Sequence, residues 1–472
     1  MSFDVVVVGG GTAGCVLASR LSENEDRTVC LIEAGPDFGP LNGGRWPPEL
    51  LDARTPSSGQ LWEPGADDGR TLGGRVLGGS SAVNACALLE GSPADYDEWG
   101  EEWSHERLRP FLDRARNQLR AARANTDHPA PFHRRFMYAA VEAGFPLLDD
   151  PNDPAEPVGV CPFPANVVDG TRWNAALAYV DPARDRPNLT IRAETPVDRV
   201  EVEAGRARAV VTATGEHIDT EQVILSAGAY FSPATLMRSG VGPEAELARH
   251  GIRVEVVLPV GEQLLDHYGT DVAWEPSELL RAEIAAHVEQ HGLYQPHAVV
   301  KAESSRSPMD TWDLHLLSWV GTGEDPSGYR LSVLVFDMKP LSSGSVRLRS
   351  RKPRDLPLVE RGFLSYDEDA ATIVEGIAIA RTIGAEEPLG ELLAHELLPG
   401  FTDPEEYVRQ TVRSYFHPAG TCPLGEVVDA ECRVLGVEGL LVADASIMPT
   451  IPRANTNLTT AAIAERVAAS FD

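Results

Sequence analysis

Lysine is nearly absent from this sequence, and positive charge as a whole is scarce. Only Lys301, Lys339 and Lys352 occur among its 472 residues. The 41 Lys and Arg residues stand against 71 Asp and Glu residues, which gives a formal net charge of -30 at pH 7. An acidic balance of this size argues against nucleic acid or an anionic membrane surface as a partner. It identifies no substrate, because most surface carboxylates are simply solvated.

Paired cysteines and long apolar runs are also missing. The six cysteines are scattered without a C-x-x-C pair, which argues against a zinc-finger framework and gives no disulfide pattern. The N-terminus has no basic segment before an apolar one, and no apolar run is long enough to span a membrane. We therefore predict a cytoplasmic protein with no metal site and no membrane span. The 43% hydrophobic content is ordinary for a globular protein, and the length suits two domains.

A glycine-rich turn near the N-terminus has the context of a dinucleotide-binding motif. Residues 3–8 predict a buried parallel strand, residues 9–14 read G-G-G-T-A-G at the start of a helical pattern, and a second strand ends at Glu33. Gly9 permits the tight turn, Gly11 lets the backbone approach a pyrophosphate, and Gly14 lets the helix pack against the strand. Glu33 can accept hydrogen bonds from both ribose hydroxyls. This motif alone does not distinguish NAD from FAD.

Two later segments carry residues suited to a reaction site. Residues 74–84 are dense in small residues, so the backbone can lie against a flat ring and Asn84 can offer it an amide; the alternative is a tight packing turn. Residues 414–425 place His417 at the close of an apolar segment and directly before Pro418, where the chain must turn. A neutral imidazole is well suited to accept a proton near pH 7. The alternative is a buried, hydrogen-bonded histidine at a strand end.

These segments together resemble the glucose-methanol-choline (GMC) family of flavin oxidoreductases. Residues 74–84 resemble the first signature of the family and residues 228–242 the second. The family's C-terminal pattern, H-P-x-G-T-C, D-A-S-x-M-P and N-T-N, is matched by residues 417–422, 444–449 and 455–457. Residues 260–267 resemble its G-x-N-L-x-D-H segment, with Gln263 in the asparagine place. The resemblance covers the whole chain and implies bound FAD and oxidation of an alcohol.

The resemblance also implies a set of FAD-binding residues. They are Gly9, Gly11, Thr12, Ala13, Gly14, Glu33, Ala34, Arg75, Gly78, Gly79, Ser80, Asn84, Val197, Ala227, Gly228, Asp444, Ala445, Asn457, Leu458 and Thr459. Some relatives attach FAD covalently through a histidine just before the signature asparagine. Val83 stands at that place here and cannot form such a bond, so we predict non-covalent FAD.

The expected chemistry assigns His417 and Asn457 as catalytic residues. His417 takes the hydroxyl proton while a hydride moves from carbon to the flavin N5, and the imidazolium then stabilises the alkoxide. Asn457 falls where the family has a His or Asn that orients the substrate oxygen; it can alternatively cap the helix that follows. We expect the N-terminus of that helix, at residues 457–459, to face the pyrimidine end of the flavin.

The predicted fold class is α/β, or α+β overall, with a Rossmann-like FAD-binding domain and a discontinuous substrate domain built on an antiparallel sheet. The FAD-binding domain takes residues 1–125, 187–265 and 425–472, and the substrate domain takes residues 126–186 and 266–424. Alternating polar and apolar residues predict antiparallel strands over residues 188–192, 197–202 and 206–212. Residues 343–349 predict a strand of the substrate sheet, and residues 367–383 predict a helix.

The predicted partners are a small-molecule alcohol and oxygen or another electron acceptor, in a monomer or a dimer. Residues 269–333 are short for the family, which would suit an open cavity and a dehydrogenase that passes electrons from a bulky donor such as mycofactocin to a non-oxygen acceptor. A hydroxynitrile lyase that binds FAD without redox turnover is a further alternative. The presence of both His417 and Asn457 disfavours a non-catalytic flavin-binding module.

Overall fold

A computed structural model describes residues 2–62, 72–123, 128–155, 157–308, 311–322 and 328–471. Its strands follow one another along the chain as β1 Ser2–Val8, β2 Val29–Ile32, β3 Ala122–Arg123, β4 Gly159–Pro162, β5 Pro164–Ala165, β6 Val167–Val168, β7 Thr171–Arg172, β8 Leu189–Arg192, β9 Val197–Glu203, β10 Arg206–Thr212, β11 His217–Leu225, β12 Tyr268–Pro276, β13 Pro296–Ala302, β14 Leu314–Thr322, β15 Tyr329–Asp337, β16 Ser345–Arg347, β17 Leu358–Glu360, β18 Leu393–Leu398, β19 Arg413–Ser414 and β20 Leu440–Val442.

The α-helices are α1 Thr12–Leu21, α2 Pro48–Leu51, α3 Pro93–Asp97, α4 His105–Gln118, α5 Pro131–Glu142, α6 Asp181–Ala183, α7 Gly228–Arg238, α8 Glu244–Arg249, α9 Glu278–His291, α10 Asp367–Ala385, α11 Pro404–Thr411 and α12 Thr456–Ala469. A π-helix spans Ala176–Val180, and short 3-10 helices include Gly79–Ala82 and Ala445–Ile447. Within the described ranges, no helix combines the length and the apolar character needed to cross a membrane.

The first sheet carries the glycine-rich turn. Its strand order is β8-β2-β1-β11-β10-β9, with β20 paired to β11. The pairs β8–β2, β2–β1, β1–β11 and β11–β20 are parallel, and the hairpin β9–β10 joins the first half of β11 antiparallel. The four consecutive valines of β1 are buried because helices cover the sheet, with α1 and α12 packed on each other in one core. This is the predicted Rossmann-like arrangement.

The second sheet is antiparallel and has two different faces. Its order is β18-β12-β15-β14-β13-β4, with β19 paired to the start of β12. On β15, Leu331, Val333 and Val335 point into a core with α10, and a Cβ added to Gly376 of α10 would lie only 2.3 Å from Val335 Cγ1. The intervening residues of β15 point the other way, as alternation along a strand requires. One face therefore packs on helices and the other is free to border a cavity.

The structure corrects two strand predictions. Residues 189–192 form β8, which pairs parallel with β2, because the chain reaches this edge through a crossover rather than a hairpin. Its polar residue Thr190 is exposed because β8 is an edge strand, so the alternation of residue types does not report the strand direction. Residues 345–347 form β16, which pairs with β17 in a separate two-stranded sheet and not with the large antiparallel sheet. The hairpin β9–β10 is antiparallel as predicted, and α10 covers the predicted helix.

The domain boundaries stay predictions, with two structural observations beside them. The predicted division between residues 125 and 126 lies outside the described residues. The π-helix Ala176–Val180 contributes to the same core as α1, although residues 126–186 were assigned to the substrate domain. Family resemblance alone did not reveal this packing, because the segment reads as an ordinary apolar helix.

Replacing Gly14 with Ala should destabilise the first domain. The added Cβ would lie 1.8 Å from the carbonyl oxygen of Gly9, so α1 must shift away from the turn. Overpacking of this kind costs about 1–3 kcal/mol of the free energy of unfolding, measured by urea denaturation. Gly43→Ala is the matched control, since its added Cβ meets nothing closer than 3.8 Å. Equal stability of both variants would contradict the packing role of Gly14.

Candidate active site

A cavity of about 1200 Å³ lies where the two large sheets meet. On one side it is bordered by the C-terminal ends of β1, β2 and β11, and on the other by the helix-free faces of β14 and β15. Ligands of open parallel sheets bind at the carboxyl ends of the strands. The predicted nucleotide site and the predicted reaction site therefore belong to one continuous space.

The turn after β1 leaves room for a ligand against its backbone. Gly9 has a φ of +99°, and a Cβ there would lie 2.6 Å from the carbonyl oxygen of Ser226, so the position requires glycine. At Gly11, in contrast, the nearest atom to an added Cβ is 4.0 Å away. Gly11 thus borders open cavity space at the start of α1, where a diphosphate can approach backbone N–H groups.

Glu33 lies at the end of β2 and lines the cavity although only 6% of it is exposed. Its carboxylate accepts hydrogen bonds from the N–H groups of Gly10 at 2.8 Å and Gly35 at 2.7 Å. Burial raises the pKa of Glu33 to about 7, and these backbone donors partly offset the rise. A carboxylate has about four acceptor positions, so positions remain for ribose hydroxyls.

The second glycine-rich segment packs directly on the first. Gly78 donates its N–H to the carbonyl of Gly10 at 2.7 Å, and a Cβ on Gly79 would lie 2.6 Å from the Cα of Gly11. The chain then continues through Val83 and Asn84, which both line the cavity. Asn84 Oδ1 accepts a hydrogen bond from the N–H of Cys86 at 3.0 Å, which fixes the orientation of its amide.

Asp444 joins two chain segments at the edge of the cavity. Its Oδ2 accepts hydrogen bonds from Gly228 N at 2.8 Å and Ser232 Oγ at 2.6 Å. Its Oδ1 accepts hydrogen bonds from Ser446 N at 2.8 Å and Ser446 Oγ at 2.5 Å. The carboxylate thereby ties the turn after β20 to the start of α7, which places Ala227, Gly228 and Ala445 on the cavity wall.

His417 sits in a turn that one buried carboxylate holds. Asp266 accepts hydrogen bonds from the backbone N–H of His417 at 2.8 Å and from the hydroxyl of Ser414. The Ser414 hydroxyl oxygen in turn accepts a hydrogen bond from the backbone N–H of Phe416 at 2.7 Å. Phe416 has a φ of +65°, a left-handed conformation that bulky residues rarely adopt. The residue is 64% exposed. Burial raises the pKa of Asp266 to about 6, and its hydrogen bonds and Arg361 oppose the rise.

The imidazole of His417 is held at both nitrogens. Its Nδ1 lies 2.8 Å from Nδ1 of His267, and its Nε2 lies 3.2 Å from Nδ2 of Asn455. An amide nitrogen only donates, so Nε2 of His417 is an acceptor and the proton is on Nδ1, directed at His267. Burial lowers the pKa of His417 to about 3, which keeps the ring neutral. This is the tautomer of a base whose unprotonated Nε2 carries the accepting lone pair.

Asn457 lines the cavity and contacts the start of α1. Its Oδ1 accepts a hydrogen bond from Thr12 Oγ1 at 2.7 Å, which joins the starts of α12 and α1. Its Nδ2 is buried and has no partner among the described residues. Because α12 begins at Thr456, Asn457 is not its N-cap. The amide that meets His417 belongs instead to Asn455, two residues earlier.

Most predicted cofactor residues line the cavity. Those on the wall are Gly9, Gly11, Thr12, Ala13, Glu33, Ala34, Gly79, Ser80, Asn84, Val197, Ala227, Gly228, Asp444, Ala445 and Asn457. Gly14, Arg75, Gly78, Leu458 and Thr459 do not line it. Thr459, for example, is hydrogen-bonded through its hydroxyl to that of Tyr96 at 3.0 Å.

Sequence reasoning missed most of the wall opposite the nucleotide side. The ring of Tyr415 stacks on Phe336 with centroids 4.0 Å apart and lies 4.2 Å from the ring of His417. Leu317 and Leu334 continue the apolar surface. His267 lies in the family segment at residues 260–267 and Asn455 in the one at residues 455–457, so the family resemblance could have pointed to both residues. Leu317 and Leu334 gave no such signal, because their apolar pattern is that of a buried strand.

Comparison with known proteins agrees with this geometry. Two GMC oxidoreductase family profiles match residues 3–269 and 340–464. The chain belongs to the GMC oxidoreductase family. It is 33% identical to the mitochondrial choline dehydrogenase of Mus musculus, over 99% of this chain and 89% of that protein. It is also 33% identical to the oxygen-dependent choline dehydrogenase of Brucella anthropi, over 97% of this chain and 93% of that protein.

Solved structures give the same result for the fold. Pyridoxine 4-oxidase from Mesorbium loti superposes with a TM-score of 0.85 and 28% identity, over 99% of both chains. Formate oxidase from Aspergillus oryzae superposes with a TM-score of 0.84 and 26% identity, over 99% of this chain and 97% of that one. The predicted fold class and family are therefore confirmed. This GMC oxidoreductase is an FAD-dependent oxidoreductase that acts on alcohols.

Replacing His267 with Ala should slow alcohol-driven flavin reduction without releasing FAD. The change removes the acceptor for His417 Nδ1–H, so the tautomer with an unprotonated Nε2 is no longer favoured. Loss of one buried hydrogen bond of this kind corresponds to about a 10- to 100-fold lower rate in anaerobic stopped-flow measurements. His267→Asn, whose carbonyl can take the place of Nδ1, should recover most of the rate. A wild-type rate for His267→Ala would refute this positioning role.

Proposed function

We propose that this GMC oxidoreductase oxidises a CH–OH donor with Nε2 of His417 as the base that takes the hydroxyl proton. The observation that supports this assignment is the fixed, neutral imidazole with Nδ1 directed at His267 and Nε2 in the cavity. A neutral base needs no proton release before it acts. General bases of this kind contribute about 10²- to 10⁴-fold to a rate.

The residues around the cavity fit FAD, which the family uses as its cofactor. Gly11 leaves space beside the start of α1, Glu33 keeps acceptor positions at the end of β2, and Asn457 Nδ2 is a buried donor without a partner among the described residues. These groups suit the diphosphate, the ribose and a polar edge of the flavin, respectively. Bound FAD supplies the acceptor for the hydride that leaves the alcohol carbon.

Asn455 is the better candidate for orienting the substrate oxygen. Its Nδ2 lies 3.2 Å from His417 Nε2, so a hydroxyl placed beside both groups can accept from the amide while it donates to the imidazole. After proton transfer the imidazolium keeps its Nδ1–H on His267 and stands next to the alkoxide. The positive charge stabilises that alkoxide until the hydride leaves. The role first assigned to Asn457 stays a prediction, and its geometry suits the cofactor instead.

Other readings of the sequence gain less support. The relatives above are named as choline dehydrogenases and as oxidases, which does not favour a hydroxynitrile lyase or a dehydrogenase for mycofactocin. The mammalian relatives are named as mitochondrial. The cytoplasmic location predicted from composition therefore stays a prediction, as does the monomeric or dimeric state.

His417→Ala should retain FAD and lose alcohol-driven flavin reduction. Because the imidazole is the proposed base, the reduction rate should fall by about 10²- to 10⁴-fold under anaerobic conditions. Flavin content and the absorbance spectrum of the protein should stay as in the wild type. His217→Ala, at the exposed start of β11, is the control and should keep the full rate. Normal reduction by His417→Ala would remove the proposed base from the mechanism.

FAD should be released when the protein is denatured. Val83 lines the cavity directly before Asn84, and its side chain offers no atom that can bond covalently to the flavin. After acid precipitation and centrifugation, the yellow flavin should therefore stay in the supernatant. Flavin that remains in the pellet after repeated washing would show a covalent link and contradict the proposal.

A further inference from the structure

Two arginines and one aspartate form a charged cluster on the substrate side of the cavity. Asp271 Oδ2 lies 2.7 Å from Arg330 Nη2, and its Oδ1 lies 2.9 Å from Arg413 Nη1. Ser332 Oγ also donates to Asp271 Oδ2, at 3.2 Å. All four residues line the cavity, and none belongs to the segments that fit FAD. We refer to these four residues as the Asp271 cluster.

The cluster carries a net positive charge toward the cavity. One guanidinium would neutralise the Asp271 carboxylate, and the second leaves an excess of one positive charge. The Asp271 side chain is only 4% exposed, whereas the side chains of Arg330 and Arg413 are each 40% exposed. Each guanidinium has five N–H donors, and Asp271 accepts one from each. Both arginines therefore offer charge and donors to a molecule in the cavity.

The strand register locates the cluster relative to His417. Asp271 pairs with Leu334, two residues along β15 from Phe336, which is about 7 Å at the rise of a strand. Gly269 of β12 pairs with Phe336 of β15 on one side and with Arg413 of β19 on the other. Arg413 is therefore two strands away from Phe336. The ring of Phe336 stacks on Tyr415, which lies beside the His417 ring. The cluster is therefore on the order of 10 Å from the imidazole.

An apolar surface separates the cluster from the base. Phe336, Tyr415, Leu334 and Leu317 line the cavity between them. A substrate that reaches both ends must then present a hydroxyl at His417, an apolar middle along this surface and a polar group at the Asp271 cluster. The sign of the cluster determines the sign of that group.

We propose that Arg330 and Arg413 form a subsite for an anionic group, so that the preferred substrates are alcohols with a carboxylate or phosphate at the far end of an apolar spacer. This inference rests on the proposed alcohol oxidation and specifies its substrate class. Guanidinium pairs bind carboxylate and phosphate through charge-assisted hydrogen bonds. The same charge repels a quaternary ammonium group, so choline, the substrate in the names of several relatives, should be a poor substrate here.

The test compares alcohols that differ only in terminal charge. Medium-chain ω-hydroxycarboxylates are measured beside their methyl esters and beside choline, with anaerobic flavin reduction as the readout. We expect kcat/KM for the carboxylate to exceed that for its ester by about 10- to 100-fold, mostly through KM, since the contact lies away from the reacting carbon. ω-Hydroxyalkyl phosphates form a second arm that distinguishes phosphate from carboxylate as the preferred anion.

Substitutions of the two arginines test whether a preference for the carboxylate over the ester comes from the Asp271 cluster. Arg330→Gln and Arg413→Gln should each lower the carboxylate-to-ester ratio of kcat/KM by about tenfold, because the loss falls mainly on the carboxylate. Arg330→Lys should keep part of the preference. Arg208→Gln, an exposed arginine on β10, is the control and should keep all of it. Flavin content and melting temperature show whether each variant is folded.

Ionic strength provides a measurement that needs no variant. Because exposed charges are screened by salt, the carboxylate-to-ester ratio of the wild type should fall as salt rises. Equal kcat/KM for acid and ester at low salt, or a preference for choline, would overturn the anionic subsite while leaving alcohol oxidation in place. If none of the alcohols reduces the flavin, the proposed function fails and this inference fails with it.

Discussion

The buried carboxylate of Asp266 is the contact on which the reaction site depends. It lies two residues before β12, whose first residue Tyr268 pairs with Ser414 of β19, and it accepts hydrogen bonds from the Ser414 hydroxyl and the His417 backbone. A buried carboxylate without such donors is unfavourable. The pKa of Asp266 is raised because the effect of burial is larger than the opposing effect of these hydrogen bonds. The Ser414 hydroxyl and the His417 backbone N–H come from one segment of chain, so a single carboxylate holds the turn that carries His417.

Asp266 and His267 are neighbours in sequence and act on the same residue by different routes. Asp266 binds the backbone of His417, whereas His267 binds its ring at 2.8 Å. One dipeptide therefore sets both the position and the tautomer of the imidazole. In the family segment at residues 260–267, Asp266 and His267 therefore hold His417 directly, whereas Gln263 makes no hydrogen bond with it.

The fold class was predictable from the sequence, and the glycine-rich turn and His417 that the sequence singled out line one cavity. The turn was recognisable because it depends on local backbone requirements that residue types reveal. Gly9 and Gly14 are examples, since their added Cβ atoms would collide with backbone. The choice between Asn455 and Asn457 was not predictable in the same way. Asn455 lies in extended backbone directly before α12, whereas Asn457 lies in its first turn, so the amide that faces His417 depends on where α12 begins.

The substrate wall was the least predictable part. Strand Tyr329–Asp337 carries apolar residues on both faces, and the packing of α10 on Val333 and Val335 leaves Arg330, Ser332 and Leu334 to the cavity. Family comparison could not supply this wall either. The alignment with mouse choline dehydrogenase extends over 544 residues, more than the 472 of this chain, so the relative carries segments that this chain lacks.

The central claim is that the nucleotide turn and His417 share one cavity and therefore one flavin. A crystal structure of the FAD-loaded enzyme tests it most directly. The account predicts that the diphosphate lies against Gly11 and that the reactive edge of the isoalloxazine faces Nε2 of His417 within contact distance. An isoalloxazine bound elsewhere, or a His417 side chain turned away from its reactive edge, would contradict the account.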